Sequence, residues 1–409
     1  MCTATSVAMH LTRWVTTMSD LHLAVALDGA GWHPAAWREA DARPGELFTA
    51  RYWTDLVQQA ERGLLDLVTI EDGFSQQIDH HQAAGDRTDR VRGRLDANLV
   101  AARVAPTTSR IGLLPTVVAP HTEPFHVSKA IATLDFVSTG RAGVRVRSSV
   151  SADEYGNVGR RPAPELPSEG VPASLTRALF GEVEDYIEVL RRLWDSWEDD
   201  AEIRDVATGR FVDREKLHYI DFEGAQFSVR GPSITPRPPQ GQPLVSLLVH
   251  QKAGYELLAR SADLGFVTPT DAADAHNIST AVRAATAQAG RTAGEVNILG
   301  DVVVFLDETY AAASARKERL DVRDGDELRS DATIFVGAPA ELADLILDWH
   351  AAGLDGVRLR PGALPHDLTQ ITDALVPELQ RRGAFRRAYD ATTLRGHFGL
   401  TRPANRYVA

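Results

Sequence analysis

The strongest constraint in this chain is a repeated alternation between short apolar runs and helix-length amphipathic segments. The runs are "LHLAVAL" (21–27), "LLDLVTI" (64–70), "RIGLLPTVV" (110–118), "GVRVRSS" (143–149), "LVSLLV" (244–249), "LGFVT" (264–268), "VNILGDVVVF" (296–305) and "GVRLR" (356–360). Between them lie segments with apolar residues at helical spacing: 47–63, 95–109 with a break at Pro106, 124–138, 253–261, 271–289, 308–320, 339–351 and 366–381. Strands separated by helices must pair in parallel. Eight such units predict a closed (β/α)8 TIM barrel in preference to an open doubly wound sheet. The rhythm breaks over 150–240, where "RRPAPELPSEGVP" and "GPSITPRPPQGQP" flank one helix expected at 180–197. That stretch reads as a large insertion after strand 4, partly loop, able to cover an active site. Residues 21–400 are therefore expected to form one barrel domain, with a disordered extension at 1–20 and a tail at 401–409. The extension contains a second methionine, Met18, which competes with Met1 as the functional start.

Several function classes are excluded by composition. The formal net charge is −12, which argues against a nucleic-acid partner. No stretch reaches ~18 uninterrupted apolar residues, so no membrane helix is expected. The sole cysteine is Cys2, so neither an intrachain disulfide nor a cysteine-based zinc site is available. The expected location is cytoplasmic.

Local motifs are weak. Gly29-x-Gly31 follows the first strand, but the third glycine of a dinucleotide fingerprint is replaced by Pro34. "DHH" (79–81) has no companion ligands, so no metal site is expected. A nucleophile elbow and a P-loop are both missing. In a barrel the chemistry sits at the C-terminal ends of the strands. Those ends carry Asp28, Glu71, Asp72, Thr116, Ser148, Ser149, His250, Gln251 and Arg360.

Two strands carry an unusual pattern. Val144 and Val146 alternate with Arg145 and Arg147, and Val357 and Leu359 alternate with Arg358 and Arg360. Residues two apart share a face. Helices cover the outside of a barrel, so the valines belong there and all four arginines point inward. Buried guanidiniums need counter-charges. Glu71, Asp72, Asp28 and Asp301 are the candidates, with Glu71 or another strand acid expected beside the deeper pair, Arg145 and Arg358. Fewer acids lie near the rim pair, Arg147 and Arg360, which either join an internal salt-bridge network or bind an anionic group of cofactor or substrate.

Longer stretches carry a family resemblance. "AGWHPAAWRE" (30–39), "LLDLVTIEDG" (64–73), "TEPFHVSKAIATLDFVSTGRAG" (122–143), "YIEVLRRLWDSW" (186–197), "FVGAPAELAD" (335–344) and "VPELQRRGAFRRAYDATTLRGHFGL" (376–400) resemble the bacterial-luciferase-like flavin monooxygenases. The resemblance is to the branch with nitrilotriacetate and dibenzothiophene-sulfone monooxygenases, and it spans nearly the whole chain from residue 21. It implies reduced FMN supplied by a separate reductase, O2 as co-substrate, a small organic substrate, and a homodimer or homotetramer. The family's flavin-contacting positions fall at Asp72 and Thr116, and its "HxxAWR" pattern falls at His33 and Trp37. His33 or His121 would then serve as general acid/base or substrate contact. Ser148, His250, Gln251 and Gly254 would line the cofactor, the last three at its phosphate.

Departures are equally specific. Thr176 and Phe180 stand where the family has His and Tyr, and His250-Gln251 replaces a pair of phosphate-binding serines. Arg145 and Arg358 replace asparagines. The changes at Thr176, Phe180, His250 and Gln251 motivate two alternatives, a reduced-deazaflavin enzyme of the same fold and a binding or scaffold homologue without flavin.

Overall fold

Each apolar run forms a parallel strand in the computed structural model, which describes residues 21–77, 87–167 and 170–408. The strands are β1 (His22–Leu27), β2 (Leu67–Ile70), β3 (Gly112–Val118), β4 (Gly143–Arg147), β5 (Leu244–Leu248), β6 (Leu264–Val267), β7 (Asn297–Leu306) and β8 (Gly356–Pro361). Each pairs with the next, and β8 returns to β1 through Val25 opposite Leu359, so the barrel closes. A further strand, Thr333–Gly337, adds to the outer half of β7; the sequence reading had no strand there. The expected N-terminal extension and the 79–81 motif lie outside the described residues.

The alternation behaves as the residues dictate. Val144, Val146, Val357 and Leu359 join the apolar layer between barrel and helices. On the inner face Ala24, Leu67, Leu114, Leu244, Leu264, Phe266 and Leu299 fill the lower barrel, closed from below by Leu394, Phe398 and Leu400. Arg386 helps to anchor this closing segment by pairing with the buried Asp66. The interior becomes polar above the Phe266 layer.

The helices α1 (Ala50–Arg62), α2 (Ala97–Val104) and α3 (Pro124–Val137) cover the first strands. Thr49 and Asp96 side chains cap the first two by accepting from Tyr52 N and Leu99 N. Between β4 and β5 come α4 (Ala152–Val158) and α5 (Ala173–Asp195), then two short hairpins. α5 begins earlier than its apolar periodicity indicated and packs between α3 and α6 (Lys252–Ser261), the position of a barrel helix. The material beyond the barrel pattern is thus 148–172 and 196–243. The C-terminal residues dock on it: Asn405 Nδ2 donates to the Asp195 and Trp197 carbonyls, and Tyr407 stacks on His218.

Candidate active site

The barrel floor is a charged ladder. All four strand arginines lie on the inner face, as alternation requires. Arg145 donates to Glu71 at 2.7 Å and to Thr116 Oγ1 at 3.1 Å. Arg358 donates from Nε to Asp301 at 2.8 Å and from Nη1 to Thr69 at 3.2 Å, and its guanidinium lies 3.9 Å from the Phe266 ring centroid. Arg360 reaches Asp301 at 2.9 Å and Asp331 at 2.6 Å. Burial pushes the Arg145 guanidinium down to about 10. Burial also opposes ionisation of Glu71 and Asp301, but the arginines around them outweigh it and hold both below the usual carboxylate range. Three guanidiniums therefore face two carboxylates inside the barrel; the third acid, Asp331, is about half exposed at the rim. Arg145 Nε is buried without a partner among the described residues.

The rim arginines take the salt-bridge alternative. They lie on β4 and β8, on opposite sides of the barrel, and neither lacks an acid. Arg360 is held by Asp301 and Asp331. Arg147 pairs with Glu154, from α4. Sequence spacing could not reveal these partners, because Asp331 follows a long helix and Glu154 sits on a turn of helix with no apolar period.

Around Glu154 a second cluster forms at the barrel mouth. Glu154 accepts from Arg147, from Ser149 Oγ and, at 3.0 Å, from Phe74 N. His121 Nε2 lies 3.9 Å from Glu154 Oε2, with no hydrogen-bond partner among the described residues, between the rings of Phe74 and Tyr155. Burial lowers the His121 pKa, so the imidazole is neutral at pH 7. Arg94 arrives from the loop before α2 and grips Asp28 through Nε and Nη2. It was absent from the sequence-derived site; its placement two residues before the Asp96 cap is the signal that fixes it at the mouth.

The other expected residues divide. His33 is not free for acid/base work. Its Nδ1 accepts from Ala35 N and its Nε2 donates to Asp321, both at 3.0 Å, and burial lowers its pKa. It ties the loop after β1 to the helix Tyr310–Asp324. Asp72 has both oxygens occupied by backbone amides, Gly73 N at 2.7 Å and Ala97 N at 2.9 Å, so it fastens the end of β2 to the start of α2. Thr116 lies on the floor beneath Arg145. Ser148 contributes its carbonyl to Arg147 at 3.3 Å. At the end of β5, α6 begins without any capping side chain: Gln251 occupies the cap position, exposed, beside exposed Lys252. His250 Nδ1 meets Thr268 Oγ1 at 3.0 Å. Gly254 allows the first turn of α6 to approach β5, since a Cβ there would stand 2.9 Å from Val249 Cβ. Thr176 and Phe180 lie on the early turns of α5, with Thr176 Oγ1 donating to Pro172 O at 3.2 Å.

A closed parallel barrel with an electrostatically organised mouth at its C-terminal strand ends defines a TIM-barrel enzyme. A sequence profile described as luciferase-like monooxygenase matches residues 30–324. N-acetyl-S-(2-succino)cysteine monooxygenase of Bacillus subtilis (strain 168) is 30% identical over 453 residues, covering 95% of this chain and 98% of that protein. Nitrilotriacetate monooxygenase component A of Aminobacter aminovorans is 29% identical, covering 94% and 98%. A riboflavin lyase, solved with modified FMN and riboflavin, superposes with a TM-score of 0.80 at 23% identity, over 95% of this chain and 97% of that one. The chain belongs to the luciferase-like monooxygenase family and is a flavin-dependent monooxygenase, an enzyme rather than a scaffold. Among the described residues, no helix is long and apolar enough to cross a membrane.

Proposed function

We propose that this enzyme uses reduced FMN, delivered by a separate reductase, together with O2 to oxygenate a small organic substrate. The observation that carries the FMN assignment is the uncapped start of α6 at the C-terminal end of β5. Its first amides, Lys252 to Gly254, point outward with the positive end of the helix dipole and suit a phosphate group. Exposed His250 and Lys252 flank them. Among the described residues no side chain accepts from these amides, in contrast to α2, which Asp96 closes; Asp331 lies 3.8 Å from His250.

When bound, the flavin supplies the activation of O2. This chain's own residues would then bind, orient and exclude water. Glu71, Asp301 and Asp331 match the charges of Arg145, Arg358 and Arg360, so the preference for an anionic reduced flavin ring over a neutral oxidised one rests on the donor edge of Arg145. The unpartnered Arg145 Nε is a free donor within that floor. His121, neutral and without a partner, is the mouth residue suited to hold or accept a proton at Nε2. His33 stays outside the chemistry, locked to Asp321.

The test is single-turnover reoxidation of chemically reduced FMN by O2 in the presence of the protein, followed spectrally, with reduced deazaflavin in parallel. Protein-dependent change in FMN reoxidation, with no effect on the deazaflavin, supports the reading. The reverse pattern sinks it.

A further inference from the structure

Glu154 is the buried acid of the barrel mouth, and the proton chemistry assigned to His121 leaves it without a role. It lies on α4, just after β4, with only 3% of its side chain exposed. Its two oxygens are used unequally. Oε1 accepts from Arg147 Nη2 and, at 3.0 Å, from Phe74 N. Oε2 accepts only from Ser149 Oγ among the described residues. A carboxylate offers about four acceptor positions, two on each oxygen, so Oε2 keeps one open. His121 Nε2 stands 3.9 Å from that oxygen, on an imidazole whose side chain is 1% exposed. This nitrogen has no hydrogen-bond partner among the described residues.

A nitrogen without a partner and an oxygen with a vacant acceptor position thus face one another where solvent is excluded, and buried polar atoms left unpaired are destabilising. A movement of about 1 Å closes the gap to hydrogen-bond length. The ring is held for that movement. Phe74 and Tyr155 meet it edge-on, with centroids 5.7 and 4.6 Å away. Phe74 is fixed in turn through its backbone, since Asn157 on α4 donates to its carbonyl at 2.9 Å. The other polar groups around the imidazole are already committed. Arg147 pairs with Glu154, Arg160 with Glu123 and Arg161 with Glu182. The Tyr155 hydroxyl reaches Ser149 O at 3.4 Å, and on the α5 side the Tyr186 hydroxyl meets Thr122 Oγ1 at 2.7 Å. Burial lowers the proton affinity of His121; Glu154 opposes this, and Arg147, Arg161 and Arg160 reinforce it.

We propose that Glu154 is the positioning residue for His121: it fixes the tautomer whose Nε2 proton faces Oε2, leaves Nδ1 as the nitrogen that takes a proton from the reacting group, and holds the imidazolium that results. The hydrogen bond made by one ring nitrogen decides what the other can do. In the transfer the bond from the reacting group to its hydrogen breaks, its electron pair stays behind, and an N–H bond forms at Nδ1. The positive charge then rests beside Oε2, the one oxygen with room for it. This rests on the assignment of His121 to proton transfer and refines it, with Nε2 holding a proton and Nδ1 accepting one. It also gives α4 a part in the chemistry, since that helix brings the acid to the end of β3.

The experiment is a pH titration of the full-length protein, labelled with nitrogen-15 at its 13 histidines and followed by NMR. The His121 resonances are identified by their loss in His121→Asn. The neutral wild-type ring should carry its proton on Nε2. Glu154→Gln keeps the shape and removes the charge, so the His121 midpoint should fall by about one pH unit and the Nε2–H tautomer should lose its dominance. Arg147→Gln removes a cation and leaves Glu154 in place, so the midpoint should rise by roughly half a unit. A merely structural role for Glu154 predicts shifts of the same sign or none. Melting temperatures are measured alongside, and the direction of the Arg147→Gln shift decides if Glu154→Gln does not fold. A proton on Nδ1 in the neutral wild type, an unchanged midpoint in folded Glu154→Gln, or a fall in Arg147→Gln overturns the proposal. Single-turnover reoxidation of reduced FMN by O2, measured across the same pH range, tests the reading beneath it. Its pH dependence should move with the His121 midpoint in Glu154→Gln. A pH dependence left intact by His121→Asn removes His121 from the chemistry, and the positioning role with it, even where the NMR shows the pair.

Discussion

Replacing Arg358 by methionine tests whether the barrel floor is held by its charges. Arg358 is fully buried and contacts Asp301 with two nitrogens, Thr69 with a third, and the face of Phe266. Methionine preserves bulk and removes the charge. Asp301 would retain Arg360 at 2.9 Å and Glu71 would retain Arg145 at 2.7 Å. The cost should therefore fall at the low end of the range for breaking a buried pair, about 3 kcal/mol. An unfolding entropy of about 2.1 cal/mol/K per residue gives roughly 0.9 kcal/mol/K for a chain of this length, so the melting temperature should drop by about 3.5 °C. Scanning calorimetry at a fixed rate measures it. The double variant Arg358→Met/Asp301→Leu supplies the control, because Arg360 still has Asp331 at 2.6 Å. Its loss should be smaller than the sum of the single losses by roughly 2 kcal/mol. Strict additivity, or an Arg358→Met variant as stable as the wild type, would refute the reasoning.

Two further outcomes follow from particular residues. Burial pushes the Asp135 carboxyl up to about 6 despite hydrogen bonds from Gln240 and Ala142. Its folded pKa exceeds the unfolded value of about 3.9, so the folded state binds the proton more tightly and stability falls as pH rises from about 4 to about 6. Asp135→Asn should flatten that part of the pH–stability curve measured by urea denaturation; an unchanged slope would show that the carboxyl is not perturbed. At the other end of the barrel, Gln251→Ser places a hydroxyl at the open start of α6. It should tighten FMN binding by roughly three- to tenfold, about one hydrogen bond, in a fluorescence-quenching titration, and an unchanged affinity would move the phosphate away from α6.

The sequence already displayed all eight barrel strands, because each is a short apolar run bounded by turns and separated by a helix. It also showed which faces Arg145 and Arg358 occupy, since period-two alternation separates them from the valines and the covering helices claim the apolar face. The added strand at Thr333–Gly337 does carry an apolar run, Ile334-Phe335-Val336, but eight strand–helix units already close a barrel without it. The true extent of α5 was hidden by the polar, exposed first turns preceding its apolar stripe. Site residues were harder. His33 looked like an acid/base candidate until Asp321, 288 positions away, accounted for its proton. Arg147 and Arg360 looked short of acids because Glu154 and Asp331 reach them through tertiary structure alone. Arg94 lay in a loop with other arginines and became distinctive only when folding brought it beside Arg147 above Gly73.

The central claim is that the floor of this barrel favours a reduced flavin. Anaerobic titration of the purified protein with reduced and with oxidised FMN measures it directly. A buried Arg145 nitrogen with no partner among the described residues, and His250-Gln251 in place of serines at the start of α6, predict that reduced FMN binds more tightly than oxidised FMN and that the protein purifies without bound flavin. Stoichiometric oxidised FMN in the purified protein, or equal affinities for the two forms, would contradict the account.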